Sequence, residues 1–401
     1  MTLIVRWPLH RWRRMGIAVA TAGLMLWPLG AAAHDPDTRG GVFRTLDAGV
    51  TWTSAGPGIF GSGALSLAVD PRDPNHLLLA SDSGVWRSRN GGRDWDVEAP
   101  GTLQGAAFAA AFDAGGQRAF VATSSSLFVN EGDGWRPLRT PAGSMPARGL
   151  VAPGAPGRVY MAGRSGLYRS DDGGRSWTDA GRELNAEHVD ALRVPAGQPD
   201  TLHVLAAGAV WSSGDGARSW QRRADAAPAQ GFEAVGQDPI RATSLWAVAA
   251  GQLYTSARAG DAWRAIGSAL PEPRPKALAM AVDAETIVVA TDRGVFRSAD
   301  GGKQWVAATE GLPAHLYPHV LVGTPMRGTA ALYAAFAVNG YDELLPRGAS
   351  ADSANSPWDV GTLVLASWLM VLLGAAALVA TRRTSKRSMH AASPPLDGSL
   401  R

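Results

Sequence analysis

The chain has 401 residues, a formal net charge of +3 and no cysteine, and 46% of its residues are hydrophobic. The lack of cysteine excludes disulfide bonds, thiolate metal ligands and thiol nucleophiles. This apolar content and length indicate a folded protein with a large core rather than a disordered chain.

The first 33 residues have the pattern of an exported protein. Arginines precede an apolar run at residues 15–29, and three alanines follow at residues 31–33. A basic segment, an apolar run and small residues are typical of a secretory signal peptide. We therefore predict a signal peptide over residues 1–33, cleaved after Ala33.

Residues 34–345 carry a sevenfold internal repeat that is marked by tryptophan. Seven of the 15 tryptophans follow one another at intervals of 40 to 43 residues, at Trp52, Trp95, Trp135, Trp177, Trp220, Trp263 and Trp305. A repeat of this length with a fixed aromatic residue is typical of one supersecondary unit copied around a ring or along a solenoid.

Each tryptophan ends a short segment that predicts a β-hairpin. Between Gly166 and Trp177, an apolar and aromatic run leads into a polar turn that is rich in aspartate and glycine. An aspartate can accept hydrogen bonds from the amides of its own turn, and glycine can adopt the positive φ of a chain reversal. We therefore interpret the following residues of these turns as structural: Asp47 and Trp52, Asn90 and Trp95, Asp172 and Trp177, Asp215 and Trp220, and Asp300 and Trp305.

These segments resemble the Asp-box, or bacterial neuraminidase repeat, with the pattern Ser/Thr-x-Asp-x-Gly-x-Thr/Ser-Trp. Residues 45–52 and 170–177 match the pattern in full, whereas the copies that end at Trp135 and Trp263 are degenerate. Two further apolar runs lie between successive copies. Each repeat therefore contains four short strands, which is typical of a propeller blade.

The two ends of the repeat array are complementary. The first copy has only the hairpin, and the segment after Trp305 has only the other half of a blade, at residues 319–322 and 331–337. Pairing these halves would remove two open sheet edges, which are an aggregation liability. We therefore predict an all-β, seven-bladed propeller of four-stranded antiparallel blades, closed by its N- and C-terminal strands.

The C-terminal part predicts a membrane anchor. A linker at residues 346–359 precedes an uncharged span at residues 360–380, which is long enough to cross a bilayer as a helix. A basic tail follows at residues 381–401. Because positive residues stay on the cytoplasmic side, we predict a single-pass protein of the bacterial inner membrane after signal cleavage. The propeller would lie in the periplasm or another extracytoplasmic space, and the tail in the cytoplasm.

The net positive charge does not indicate a nucleic-acid partner, because arginines of the signal segment and the tail supply much of it. No phosphate-binding glycine loop, nucleophile elbow or metal-ligand spacing of histidines occurs in the sequence. We therefore expect no cofactor, no metal and no nucleic acid.

Two sets of basic residues are candidates for binding. One set recurs at a fixed position of the third strand, and we expect it to pack between strands and bond to blade edges: Arg44, Arg87, Arg169 and Arg297. The other set lies in predicted loops where the repeat does not require it, so we expect it to contact a partner: Arg164, Arg274, Lys276 and Arg293.

An enzyme is one alternative, because Asp-boxes are familiar from sialidases and other glycoside hydrolases. Those enzymes use a tyrosine paired with an acidic residue, and the conspicuous cluster of this kind is Tyr341, Asp342 and Glu343. The Arg-Ile-Pro signature of sialidases is missing, and sialidase propellers have six blades. We assign no catalytic residue, and a glycoside hydrolase or glycan-binding protein stays as an alternative.

The lead-in Gly-Val/Leu-aromatic-Arg-Ser/Thr, as in residues 166–170, together with seven blades, resembles the photosystem II stability and assembly factor family. That resemblance implies an exported propeller that holds membrane-protein precursors without a cofactor. The layout of propeller, membrane helix and short tail is also similar to sortilin-type receptors. We expect a membrane-anchored scaffold or assembly factor with a protein or peptide partner near the membrane.

Overall fold

The computed structural model describes residues 40–57, 59, 63–154, 157–184, 189–195, 197–237, 243–270, 278–281, 285–291, 294–312, 317–323 and 331–337. These residues form seven four-stranded antiparallel sheets and a short 3₁₀ turn at Arg182–Leu184. The predicted signal peptide, linker, membrane span and tail lie outside the described residues. Within the described part of the chain, no helix has the length and apolar character needed to cross a bilayer.

Six of the sheets are meanders of four consecutive strands, and we number them as blades two to seven. Blade two contains β3 (Ala64–Val69), β4 (Leu77–Ser81), β5 (Gly84–Ser88) and β6 (Asp96–Val97). Blade three contains β7 (Ala107–Phe112), β8 (Ala119–Thr123), β9 (Leu127–Asn130) and β10 (Trp135–Leu138). Blade four contains β11 (Gly149–Val151), β12 (Val159–Gly163), β13 (Gly166–Ser170) and β14 (Thr178–Asp179). Blade five contains β15 (Ala191–Arg193), β16 (Leu202–Ala206), β17 (Ala209–Ser213) and β18 (Gln221–Arg222). Blade six contains β19 (Ala234–Gln237), β20 (Leu245–Ala249), β21 (Gln252–Ser256) and β22 (Arg264–Ala265). Blade seven contains β23 (Leu278–Ala281), β24 (Ile287–Thr291), β25 (Gly294–Ser298) and β26 (Val306–Ala307).

Blade one is assembled from the two ends of the repeat array. It contains β1 (Gly40–Thr45), β2 (Thr53–Ser54), β27 (Tyr317–Gly323) and β28 (Leu332–Ala337), in the order β2-β1-β28-β27. The strands β1 and β28 are antiparallel over six residue pairs, with Phe43 opposite Ala334. This pairing confirms the predicted closure of the ring by its terminal strands.

The first strands of the blades surround the axis of the ring. Contacts between them run from β3 through β7, β11, β15, β19 and β23 to β27, and from β27 back to β3. The second strands of blades two to seven are buried along their whole length, whereas the fourth strands β6 and β14 are exposed. A strand that is covered on both faces needs a continuous apolar run, such as the one at residues 77–80.

The hydrophobic core lies between neighbouring blades rather than inside each one. Seven clusters of buried side chains are formed by the described residues, one at each interface between adjacent blades. At the interface of blades four and five, Tyr160 and Leu167 pack with Leu202, Val204 and Trp220. Since a blade alone would expose these faces to water, the ring is stable only when it closes.

Candidate binding surfaces of the ring

The predicted turn aspartates hold the hairpins together. The carboxylate of Asp172 accepts hydrogen bonds from the amides of Arg175 and Ser176, at 2.9 and 2.8 Å, and from the Ser176 hydroxyl at 2.6 Å. The Ser170 hydroxyl donates to the same carboxylate and accepts from the Gly174 amide, both at 2.8 Å. Bonds from Ser176 are the main cause that lowers the pKa of Asp172 to about 2.

The other turns repeat these contacts. Asp47, Asp215 and Asp300 each accept from the amides three and four residues further on. Asn90 replaces the aspartate in blade two; its amide oxygen accepts the corresponding bonds at 3.0 and 2.9 Å, and its nitrogen donates to Asp94 at 2.8 Å. Each carboxylate is thus directed into its own turn. Among the described residues, no group of three or more histidine or acidic side chains could hold a metal ion.

We expect Asp172→Ala to lower the free energy of unfolding by about 1 to 2 kcal/mol, because a comparable loss follows removal of a side chain that caps backbone amides. Asp172→Asn is the matched control and should cost less, since Asn90 supplies the same amide acceptor in blade two. Urea denaturation followed by tryptophan fluorescence measures both. Equal losses for the two variants would contradict this role.

The repeated tryptophans connect each blade to the preceding one. The indole Nε1 of Trp220 donates to the Ala180 carbonyl at 2.7 Å, although 40 residues separate them. Corresponding bonds join Trp95 to Ala55, Trp177 to Arg139, Trp263 to Arg223 and Trp305 to Ser268, while Trp135 donates to the Glu98 carboxylate. Trp52 is buried at the closing interface, and its Nε1 has no hydrogen-bond partner among the described residues. The indoles therefore fasten neighbouring blades as well as their own turns.

The recurring arginines reach the next blade. Arg44 donates to the Gly91 carbonyl at 3.0 Å, and Arg169 donates to the Gly216 carbonyl at 2.6 Å. Both acceptors belong to the hairpin turn of the following blade. The Nε of Arg297 donates to the Ala48 carbonyl at 3.0 Å, across the closing interface.

Arg87 differs from the other recurring arginines because its hydrogen-bond partner is a carboxylate and not a carbonyl of the next turn. It makes two bonds to the Glu98 carboxylate, at 2.6 and 2.8 Å, and contacts His76 Nε2. His76 in turn contacts Asp70, and Glu98 accepts from Trp135 at 2.6 Å. Burial raises the pKa of Glu98, but the bonds from Arg87 and Trp135 outweigh it and lower the pKa. This partly buried network joins blades two and three.

A cavity of about 460 Å³ lies among the first strands around the axis. Its charged lining residues are Arg148, Asp190, Arg193 and Glu233. Arg193 lies opposite His203 in the sheet. At the equivalent register position the other described side chains are small or apolar: Ala68, Ala111, Val151, Gly236 and Val322. Burial lowers the pKa of Arg193, whose Nη1 donates to the Leu192 carbonyl at 3.0 Å.

Of the four predicted contact residues, Arg164 is the one that lies in the described part of the ring. Arg164 is exposed in the hairpin between β12 and β13, and its amide donates to the Ser144 carbonyl at 2.8 Å. The other three lie outside the described residues, as does the cluster at residues 341–343. Arg193 was not among the predicted site residues, although an arginine among the apolar residues between two copies of the repeat was a signal that could have found it.

No family model matches the sequence, and no curated protein matches it either. Among solved structures, YCF48 from Cyanidioschyzon merolae is similar with a TM-score of 0.56 and 18% identity, over 69% of this chain and 95% of that one. A structure described as YCF48 bound to D1 peptide has a TM-score of 0.53 and 16% identity, over 68% and 93%.

The GH74 xyloglucanase from Xanthomonas campestris is also similar, with a TM-score of 0.57 and 20% identity. The match covers 74% of this chain and 55% of the xyloglucanase, so the chain spans about half the length of that enzyme. At these identities the similarities show a shared propeller fold.

Proposed function

We propose that this protein is a membrane-anchored extracytoplasmic propeller that binds other proteins, as a scaffold or assembly factor. The observation that carries the proposal is the closed ring, in which hydrogen bonds and apolar clusters fasten each blade to the next. A ring of this kind offers a rigid, broad face on which loops can vary without disturbing the blades. The fold similarity to YCF48, one structure of which is described as bound to D1 peptide, supports a peptide or protein partner.

The proposed location comes from the sequence. The signal peptide predicted at residues 1–33 and the membrane span predicted at residues 360–380 support a location of the ring outside the cytoplasm, at the bacterial inner membrane. Anchoring raises the effective concentration of the ring near membrane-bound partners. In this proposal Arg164 contributes to the partner surface together with Arg274, Lys276 and Arg293.

Crosslinking of the membrane-bound protein, followed by purification and identification of what co-purifies, tests the binding function. We expect a specific protein partner with the wild type and a reduced yield with Arg164→Glu. The control is Arg175→Glu, which changes an exposed arginine of a turn at the ring edge. The proposal fails when no protein is enriched above an unrelated anchored protein.

Hydrolysis of a glycan is the second candidate. Asp190 and Glu233 both line the central cavity, and they precede the first strands of neighbouring blades. Glycoside hydrolysis uses two carboxyl groups at a controlled separation. Turnover of a glycoside panel that is abolished by Asp190→Asn or Glu233→Gln would establish this activity in place of the scaffold.

A further inference from the structure

A second cavity, of about 470 Å³, lies between blades six and seven. We call it the blade-six cleft. Its lining includes Ser244, Trp246, Thr255, Asp261 and, from the turn of blade seven, Gly301. Trp246 is 6% exposed, and its indole Nε1 has no hydrogen-bond partner among the described residues.

Two other blade interfaces show a guanidinium group at the position that corresponds to Gly301. Gly301 is the third residue after the turn hydroxyl of Ser298, as Gly91 and Gly216 are after Ser88 and Ser213. A guanidinium group lies beside each of these two glycines, Gly91 and Gly216. A Cβ at Gly91 would lie 3.5 Å from Arg44 Nη1, and one at Gly216 would lie 2.9 Å from Arg169 Nη1. A Cβ at Gly301 would have no neighbour within 4 Å in the part of the chain that the structure describes.

Blade six lacks the arginine that reaches the next turn from blades one, four and seven. Thr255 stands where Arg44, Arg169 and Arg297 stand, one residue before the turn hydroxyl. Ser244 stands where Arg158 does, directly before the second strand of its blade. Both side chains are too short to reach the next turn, and no described side chain donates to the Gly301 carbonyl. Blade five also has a short residue there, but the Ser212 hydroxyl reaches the Ala259 carbonyl at 3.0 Å.

The geometry points to the blade-six cleft as a socket for the guanidinium group of a partner protein's arginine. The Gly301 carbonyl would accept from it, as the Gly216 carbonyl does from Arg169. Asp261 adds a half-exposed carboxylate, one oxygen of which accepts from Arg223 at 2.8 Å. This inference rests on the proposed protein-binding function and adds to it the chemistry of one anchor residue of the partner.

The positive charge at the rim of the cleft does not oppose this assignment. Arg258 and Arg264 line the cleft but are exposed, so the high dielectric constant of water weakens their repulsion of a bound guanidinium group. At the interface of blades four and five, two guanidinium groups share one such site because Asp171 and Asp200 balance their charge. There Arg158 and Arg169 both approach Gly216 and both bond to Asp171. In the lining of the blade-six cleft, Asp261 is the carboxylate. A planar, weakly hydrated guanidinium suits such a site better than a compact ammonium does.

The socket is tested with the full-length protein in detergent and N-acetylarginine amide as the probe, observed by saturation-transfer NMR. N-acetylcitrulline amide, which is nearly isosteric and uncharged, is the control ligand. We expect at least tenfold weaker binding of the citrulline compound. Thr255→Arg should place the chain's own guanidinium in the socket, abolish probe binding and raise the melting temperature. Thr255→Val should leave probe binding within twofold of the wild type.

We call Thr255→Arg and Ser244→Arg the filling variants, because each should place a guanidinium group of the chain in the cleft. Ser244→Arg is used when Thr255→Arg does not fold, and it should also abolish probe binding. Equal binding of the two ligands by the wild type, or undiminished binding by a folded filling variant, would overturn the socket. The crosslinking experiment separates this result from the proposed function. If a partner is captured equally by the wild type and a filling variant, the protein-binding function is supported and the arginine socket is contradicted. If the probe binds but no protein is captured, the socket is supported and the protein-binding function is contradicted.

Discussion

Ala335→Asp is expected to lower the free energy of unfolding by about 4 kcal/mol or more, enough to unfold many domains of ordinary stability. Ala335 is fully buried in β28, where it lies opposite Val42 on one side and Val320 on the other. A carboxylate at this position would be buried without a partner, which costs several kcal/mol. The strand that carries it is also the one that closes the ring.

Ala265→Asp is the matched control. Ala265 lies in the outermost strand of blade six and is exposed, so the same substitution should change the free energy of unfolding by less than about 0.5 kcal/mol. Urea denaturation monitored by far-ultraviolet circular dichroism compares the two variants. Similar stabilities would mean that the pairing of β1 with β28 is not needed for the folded ring.

Trp220→Ala is expected to cost about 3 to 5 kcal/mol, the usual range for removing a large buried aromatic side chain. Trp220 is 9% exposed and packs with Tyr160 and Leu184 at the interface of blades four and five. Its indole donates to the Ala180 carbonyl, and its amide donates to Glu183 at 2.9 Å. The substitution therefore removes packing and one of the bonds between the blades.

Trp220→Phe separates these two contributions. Phenylalanine keeps most of the apolar contact but leaves the Ala180 carbonyl without its donor, so we expect a loss of about 1 to 2 kcal/mol. Differential scanning calorimetry and urea denaturation should rank the stabilities as wild type, phenylalanine variant, alanine variant. A phenylalanine variant as unstable as the alanine variant would mean that the hydrogen bond, rather than packing, carries the interface.

Some of the inter-blade contacts were predictable in kind but not in detail. The recurrence of Arg44, Arg169 and Arg297 predicted a structural use at the blade edges, and each does bond to a carbonyl of the next turn. Arg87 has the same sequence position but bonds to Glu98 and contacts His76. The sequence could not distinguish these outcomes, because the partner depends on which side chains the neighbouring blade presents.

The tryptophans also have a second partner that the pattern did not predict. Their position after the turn predicted a structural role, and Trp177 lies close to the turn at Gly174. The bond from its indole to the Arg139 carbonyl joins residues 38 positions apart. A contact of this kind depends on the angle between two blades, which a single repeat does not contain.

The sequence by itself determined the number of blades, the four strands in each and the pairing of the chain ends, because a fixed period and two complementary half-repeats leave few ways to bury the apolar runs. Only the tertiary structure decided which guanidinium meets which carbonyl, and that Arg193 enters the central cavity while Thr255 leaves a cleft beside Gly301. The physical reason is that these sites form between blades. Their partners are about 47 residues apart at successive blades and 249 apart at the closing interface, so local propensity and spacing carry no information about them.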